Sequence, residues 1–167
     1  MLFIFSGLPG TGKSTIAKML IQKIKAVYLR VDTIEQALRS HIPSMQEVGP
    51  EGYLILYELA RENLKLGSTV ITDSVNDLRL VRDAYRDIAQ SLQLPYLEIE
   101  IYCSDRQQHE NRVKQRTSDI SGLVNPTWDA ILHRPYESWD RPHLILDTAL
   151  LSPEQCVEKI LSTAPTY

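Results

Sequence analysis

Short apolar runs alternate with longer stretches of helical periodicity along the chain. The apolar runs have the length of β-strands and cover residues 2–5, 26–31, 69–72, 96–102 and 143–146. Between them, apolar residues recur three and four positions apart, as they do along one face of an α-helix. The predicted helices cover residues 13–25, 33–40, 53–66, 77–92, 104–116, 127–138 and 153–161. This alternation predicts an α/β fold of three layers, with a five-stranded parallel sheet between two layers of helices.

Polar or thiol-bearing residues stand at the carboxyl ends of the predicted strands. They are Ser6, Asp32, Asp73, Cys103 and Asp147. In an open parallel sheet, ligands bind beyond the carboxyl ends of the strands. We therefore expect a binding site at this edge of the sheet, built from residues that are far apart in the sequence.

Composition and charge narrow the class of protein. The 167 residues are 43% hydrophobic and 23% charged, which favours a single folded domain over residues 1–167. With 18 basic and 21 acidic residues, the chain lacks the basic excess of most nucleic-acid-binding proteins, so that partner is disfavoured but not excluded. The two cysteines cannot form a disulfide framework, and no apolar run approaches the roughly 20 residues of a membrane span. A cytoplasmic protein with no membrane partner is expected.

A phosphate-binding motif follows the first predicted strand. Residues 7–14, GLPGTGKS, match the pattern G-x-x-x-x-G-K-[ST] in its required place between an apolar strand and an amphipathic helix. The glycines let successive backbone N–H groups face one phosphate, and the helix adds its positive N-terminal end. Lys13 would meet the β- and γ-phosphates, and Ser14 would bind Mg²⁺. The predicted ATP-binding residues are Gly7, Leu8, Pro9, Gly10, Thr11, Gly12, Lys13, Ser14 and Thr15.

The phosphate loop with Thr15, the strand that ends in Asp32 and the strand that ends in Asp73 together carry a family resemblance. The chain resembles P-loop kinases of the nucleoside-monophosphate-kinase-like group. Within that group it is most similar to the small zeta toxin-like AAA kinases, which neighbour chloramphenicol phosphotransferase, gluconate kinase and the polynucleotide 5′-kinase domain. The resemblance covers nearly the whole chain in element order. It implies a P-loop NTPase fold with a small lid and transfer of a γ-phosphoryl group to a hydroxyl.

Two aspartates are candidates for the chemistry of that transfer. By resemblance, Asp32 is the carboxylate that accepts the proton of the acceptor hydroxyl, and phosphoryl transfer needs little more covalent help. The alternative is that Asp32 or its neighbour only caps the following helix. Asp73 resembles the carboxylate that holds Mg²⁺, although in this kinase group the position can also touch the acceptor. A turn-forming role for Asp73 is the third alternative.

Two arginines and a polar segment form the predicted lid. Arg112 and Arg116 are four residues apart and therefore lie on one helix face, where the family places arginines that grip the transferred phosphoryl group. The alternative is a solvated basic face. Residues 117–126, the lid segment, are mostly polar and are expected to move. Arg79 and Arg82 are expected on the exposed surface of their helix, although related kinases use an arginine near this position for the acceptor.

Together these features predict an ATP- and Mg²⁺-dependent kinase that phosphorylates a hydroxyl of a small molecule near Asp32. One alternative is a kinase of nucleic-acid 5′-hydroxyls, against which the net charge of −3 weighs. The other is a nucleotide-dependent switch ATPase that has no small acceptor.

Overall fold

The computed structural model describes residues 1–165, which contain five strands and seven α-helices. The strands are β1 (Leu2–Ser6), β2 (Val27–Arg30), β3 (Val70–Asp73), β4 (Tyr96–Tyr102) and β5 (Leu144–Asp147). The helices are α1 (Lys13–Ile21), α2 (Val31–His41), α3 (Glu51–Lys65), α4 (Arg79–Ser91), α5 (Arg106–Gln115), α6 (Trp128–Leu132) and α7 (Pro153–Thr163). A 3₁₀ turn, Pro43–Met45, interrupts the connection between α2 and α3.

The five strands form one parallel sheet in the order β2-β3-β1-β4-β5. Strand β1 therefore lies at the centre, between β3 and β4, and the chain builds outwards from it in both directions. The loop that leaves β1 opens at the point where the connections diverge, which is the ligand-binding crevice of doubly wound sheets. The topology places the phosphate loop at this crevice.

Both faces of the sheet are covered by helices. Phe3 and Phe5 of β1 face a core that is completed by α1 and α7. Leu2 and Ile4 alternate with them and face a second core with α3 and α4. Successive strand side chains point to opposite faces, so a strand that is apolar throughout is buried on both sides. The predicted three-layer α/β fold is confirmed.

Two helix starts differ from the sequence expectation. Strand β2 ends at Arg30, so Asp32 lies in the first turn of α2 instead of at the strand end. Helix α5 begins at Arg106, two residues after its predicted start at Ser104, and is capped by Asp105, whose carboxylate accepts from the Gln108 amide at 2.9 Å. The Ser104 amide instead donates to the Asp147 carboxylate at 3.0 Å, which holds Ser104 outside the helix.

The segment that follows α6 is held by a buried arginine. Arg82 on α4 is 1% exposed, so the expectation of a surface position for it was wrong. Its guanidinium donates to the carbonyls of Glu137 and Ser138 at 2.9 and 3.3 Å and lies 4.5 Å from the centre of the Trp139 ring. Helix α6 stops at Leu132, short of its predicted end at 138, because Pro135 has no backbone N–H and disfavours a helical conformation of the residue before it.

Candidate active site

The phosphate loop wraps around the start of α1 and depends on two glycines. Gly7 has φ +141°, and a Cβ atom there would lie 2.0 Å from the carbonyl oxygen of Ile101. Gly10 has φ +84°, and its Cβ would lie 2.5 Å from the Val113 side chain of α5. Only glycine fits at either position, because the backbone is left-handed and neighbouring atoms are in close contact. The loop is therefore packed against β4 and α5.

One large cavity opens beside this loop. It has a volume of about 1160 Å³ and extends from the phosphate loop to α2, the lid segment and α6. The loop residues that line it are Pro9, Gly10, Gly12, Lys13, Ser14 and Thr15, whereas Gly7, Leu8 and Thr11 are not part of the lining. Lys13 is buried, and its ammonium donates to the Leu8 carbonyl at 3.0 Å. Burial lowers the pKa of Lys13, and Asp73 and Asp32 oppose that shift.

A serine and an aspartate meet at the start of α1, where a magnesium site was predicted. The Ser14 hydroxyl donates to Asp73 Oδ2 at 2.6 Å, because the carboxyl ends of the paired strands β1 and β3 are adjacent. The phenol of Tyr28 on β2 donates to the same oxygen at 2.5 Å. Burial and the Asp73 charge raise the pKa of Tyr28 far above its ordinary value, so the phenol keeps its proton. Hydroxyl and carboxylate oxygens are the ligands that Mg²⁺ prefers.

Asp32 lines the cavity from its position in the first turn of α2. No side chain caps α2, so Asp32 does not serve as its N-cap. Its nearest charged partner is Arg30, with a guanidinium nitrogen 3.6 Å from Asp32 Oδ2, and the side chain is 38% exposed. The carboxylate is therefore open to a ligand in the cavity.

The two arginines of α5 have different surroundings. Arg112 donates to the hydroxyl and the carbonyl of Thr148 at 2.8 and 2.9 Å, and the Thr148 hydroxyl lies 2.9 Å from the Thr11 carbonyl of the phosphate loop. Arg116 lines the cavity and makes no side-chain hydrogen bond or ion pair within residues 1–165. Its charge is close enough to contribute to the lowered pKa of Lys13, after burial. Arg112 is thus engaged with the loop wall, and Arg116 is available to a ligand.

A histidine that the sequence analysis assigned no role supports the phosphate loop. His109 on α5 is 6% exposed, and its Nε2 donates to the Pro9 carbonyl at 2.8 Å. Its ring meets Trp128 edge to face, with centroids 5.0 Å apart. Burial lowers the pKa of His109, which favours the neutral imidazole with its proton on Nε2. Helix α5 therefore fixes the outer wall of the loop.

The lid segment lies across the cavity and is anchored by one carboxylate. Asp119 accepts from Arg30 at 2.7 Å and also pairs with Lys18 of α1. These two hydrogen bonds hold the pKa of Asp119 well below its ordinary value. Gly122 rests against the Gln36 side chain of α2, where a Cβ would lie 2.9 Å from the Gln36 amide nitrogen. The lid segment is thus docked on α1, β2 and α2.

Within residues 1–165, no helix is long and apolar enough to cross a membrane. Over the same residues, no three His, Cys, Asp or Glu side chains cluster as metal ligands do. The Ser14 hydroxyl and the Asp73 carboxylate are suitable oxygen ligands for Mg²⁺. Two protein groups do not complete its coordination, so such a site also requires oxygens of a bound nucleotide.

The fold and this site define the class of the protein. A phosphate loop at the switch point of a five-stranded parallel sheet, with a serine and an aspartate side by side at its rim, is the arrangement of a P-loop nucleotide-binding protein. The adjoining cavity is large enough to hold a second ligand beside the nucleotide.

Comparisons with known proteins agree with this class. The AAA domain family matches residues 2–135. A protein named probable adenylyl-sulfate kinase, from Halalkalibacterium halodurans, is 31% identical over 93% of this chain and 78% of its own length. The chain belongs to the AAA domain family and is a P-loop kinase related to adenylyl-sulfate kinases.

Solved structures share the fold at lower sequence identity. The Mycobacterium tuberculosis APS kinase CysC, in complex with AMPPNP and APS, superposes with a TM-score of 0.72 over 96% of this chain and 95% of its own, at 20% identity. Chaetomium thermophilum Kti12, in complex with ADP-AlF3, gives 0.72 over 99% and 100%, at 21% identity. These structures confirm the fold. The sequence relatives confirm the predicted class of enzyme, a kinase that transfers a phosphoryl group from ATP to a small molecule.

Proposed function

We propose that the acceptor hydroxyl binds between Asp32 and the phosphate loop, and that Asp32 accepts its proton during transfer. The observation that carries this assignment is that Asp32 lines the same cavity as Lys13 and Ser14, with its carboxylate 38% exposed and its nearest charged partner, Arg30, 3.6 Å away. We call the part of the cavity lined by the phosphate loop, Asp73 and Arg116 the nucleotide half. The part lined by α2, the lid segment, α6 and Arg134 is the acceptor half.

In the nucleotide half, the chain is built to hold a polyphosphate. The loop amides and the N-terminal end of α1 face the phosphates, and Lys13 adds a full positive charge. Ser14 and Asp73 would hold Mg²⁺, which neutralises phosphate charge when it is bound. Tyr28 fixes the carboxylate of Asp73 through its hydrogen bond, so it acts as a positioning residue for this pair.

In the acceptor half, the reaction is an in-line displacement at the γ-phosphorus. The acceptor oxygen forms a bond to phosphorus, the bond to the β–γ bridging oxygen breaks, and ADP leaves with the bonding electrons. The hydroxyl proton passes to the Asp32 carboxylate. A carboxylate at this position orients the nucleophile, which is the main demand that phosphoryl transfer makes on a protein side chain.

Arg116 is the proposed clamp on the transferred group. It is the arginine of the cavity that is free of protein partners within residues 1–165, and its planar fork can bind two phosphate oxygens. Arg112, predicted for the same task, holds Thr148 at the loop wall in this structure, and a direct contact from it to phosphate remains a prediction. The lid segment would exclude water from the reacting atoms while it stays docked through Asp119.

The test is the fate of a labelled γ-phosphoryl group. ATP labelled at the γ-phosphate is incubated with the protein, Mg²⁺ and a panel of hydroxyl compounds that includes adenylyl sulfate, nucleosides, sugars and 5′-hydroxyl oligonucleotides. We expect the label on a small organic product, with little released as inorganic phosphate. Rapid release of phosphate without any acceptor would instead favour a switch ATPase, and label on the oligonucleotide a nucleic-acid kinase. A cytoplasmic location is part of the same proposal.

A further inference from the structure

The arginines of the acceptor half are already paired with carboxylates of the chain itself. Arg30 donates to Asp119 at 2.7 Å and has a side chain that is only 6% exposed. At the far wall, Arg134 donates to Asp77 at 2.7 Å. Each of these two arginines therefore has a carboxylate partner within residues 1–165.

The third arginine, Arg39, is paired within α2. It donates to Glu35 at 2.9 Å, and both side chains are largely covered. Glu35 is fixed because it packs over Gly52 of α3, where a Cβ atom would lie 2.5 Å from the Glu35 Cγ. A larger residue at position 52 would displace the Glu35 side chain. The pair is therefore part of the packing between α2 and α3 and is not a chance surface contact.

The charges around the acceptor half balance. Its cations and carboxylates form two sets of equal size: Lys18, Arg30, Arg39 and Arg134 against Asp32, Glu35, Asp77 and Asp119. The nucleotide half is different, because Lys13 and Arg116 make no ion pair within residues 1–165. Positive charge for an anion is therefore available where the polyphosphate binds and not where the acceptor binds.

The remaining walls of the acceptor half are uncharged. Amide and hydroxyl groups come from Gln36, Ser40, Asn125 and Thr127, and an apolar surface comes from Leu123 and Val124 of the lid segment. Val124 is 88% exposed, so its apolar surface has little protein cover. Groups of this kind bind hydroxyls by hydrogen bonds and cover a carbon skeleton.

We propose that the acceptor of this kinase is an uncharged hydroxyl-bearing molecule with an apolar face, and that the acceptor half disfavours anions. This inference rests on the proposed function, since it takes the acceptor half to be the place of the hydroxyl substrate. An anion that enters loses its hydration and meets guanidinium groups that are already satisfied by carboxylates. To bind it, the protein would have to break its own ion pairs.

Adenylyl sulfate, an anion, serves as the probe in a binding experiment that needs no turnover. Its affinity is measured by calorimetric titration into the complex of the protein with Mg·ADP, for the wild type, Glu35→Gln, Asp119→Asn and the double variant. The substitutions release Arg39 and remove the closer of the two carboxylates from Arg30, which keeps only Asp32 at 3.6 Å. We therefore expect the double variant to bind the probe about tenfold more tightly than the wild type. Glu110→Gln is the matched control, because it breaks a similar pair with Lys114 on α5, outside the cavity.

The inference would be overturned if the double variant bound adenylyl sulfate with the same affinity as the wild type. Thermal unfolding and Mg·ADP affinity establish that each variant is folded. If Asp119→Asn is not stable, the affinity of Glu35→Gln for adenylyl sulfate is compared with that of the wild type instead. Adenylyl sulfate as the best acceptor in the labelled-ATP assay would also overturn it, while leaving the proposed kinase function intact. Failure of all transfer would count against the proposed function alone, because the titration does not depend on catalysis.

Discussion

The two halves of the cavity treat charge in opposite ways. In the nucleotide half, the backbone amides of the phosphate loop, Lys13 and Arg116 present positive potential that no carboxylate of residues 1–165 neutralises by direct contact. In the acceptor half, Arg30, Arg39 and Arg134 are each bound by a carboxylate. We therefore expect this cavity to bind a highly charged donor beside an uncharged acceptor, with each ligand disfavoured in the other half.

The halves also differ in how they are built. The nucleotide half is fixed by the centre of the sheet, with β1, β3 and α1 converging on Ser14 and Asp73. The acceptor half is assembled from α2, the lid segment and α6 at the periphery, and the Asp119 ion pairs hold the lid segment there. We therefore expect rigid binding of the nucleotide and adjustable binding of the acceptor, since peripheral segments open more easily than core elements.

The largest expected effect comes from removing the free charge of the nucleotide half. Lys13→Ala should weaken Mg·ATP binding by roughly 10²-fold or more, because a buried charge contact is lost. The fold should persist, since the loop shape depends on Gly7 and Gly10. Thermal stabilisation by Mg·ATP measures the loss, and Lys18→Ala, which removes a paired lysine one turn further along α1, is the control. Equal stabilisation of Lys13→Ala and wild type would refute the nucleotide half as described.

A smaller effect should separate the two arginines of α5. Arg116→Gln should lower the transfer rate by roughly 10²- to 10³-fold, as expected for one group that stabilises charge in the transition state, with little change in ATP affinity. Arg112→Gln should mainly weaken ATP binding, because it frees Thr148 from the loop wall. Steady-state kinetics compares kcat and KM for both variants. If Arg116→Gln weakened ATP binding and Arg112→Gln lowered the transfer rate, the two arginines would have the opposite roles.

A still smaller effect concerns Tyr28. In Tyr28→Phe, Asp73 loses one of its two hydroxyl donors, and the Mg²⁺ concentration that half-saturates nucleotide binding should rise about tenfold. Tyr96→Phe is the control, since that phenol accepts only a long hydrogen bond from Gln90 at 3.4 Å. A Mg²⁺ titration followed by nucleotide-dependent thermal stabilisation gives the readout. An unchanged Mg²⁺ requirement would show that Tyr28 does not position Asp73.

The smallest effect is a pH dependence of stability from His109. Because burial lowers its pKa below the ordinary value of 6.5, the unfolded chain takes up the proton first as the pH falls. The free energy of unfolding should therefore decrease as the pH falls below about 6.5 and level off below the pKa of the folded state. Above pH 6.5 this contribution is constant. His109→Gln should remove that part of the slope in denaturant titrations at pH 7.5 and 5.5, and an unaltered slope would assign it to other groups.

The sequence predicted where the phosphate loop lies and that Ser14 and Asp73 are adjacent, whereas the ligands that these residues bind stay a prediction. The phosphate loop is one contiguous motif, and Ser14 and Asp73 meet because the carboxyl ends of two apolar strands are adjacent in a parallel sheet. The fold could be predicted because the alternation of strands and helices can be recognised from short stretches of the sequence. Asp32 was predicted at the end of β2 but lies in the first turn of α2. The boundary between these two elements was missed because no turn residue marks it.

The contacts that the sequence did not predict join distant residues. Tyr28 and Asp73 are 45 positions apart, and Arg30 and Asp119 are 89 apart. No periodicity or spacing links such residues, because the packing of helices and loops brings them together. Arg112 and Arg116 share a helix face as their spacing predicts, yet Thr148, on another element, gives them different surroundings. Burial of Arg82 was missed because its partners are backbone carbonyls, which have no sequence signature.

The most direct test of the account is the reaction of the Asp32→Asn variant with an acceptor found in the labelled-ATP screen. Asparagine keeps the shape of the side chain but cannot accept the hydroxyl proton. The rate of transfer should fall by roughly 10²- to 10⁴-fold, with Mg·ATP affinity unchanged. Asp129→Asn, which alters an exposed aspartate in the first turn of α6, should transfer at the wild-type rate. Wild-type transfer by Asp32→Asn would contradict the account and place the acceptor elsewhere in the cavity.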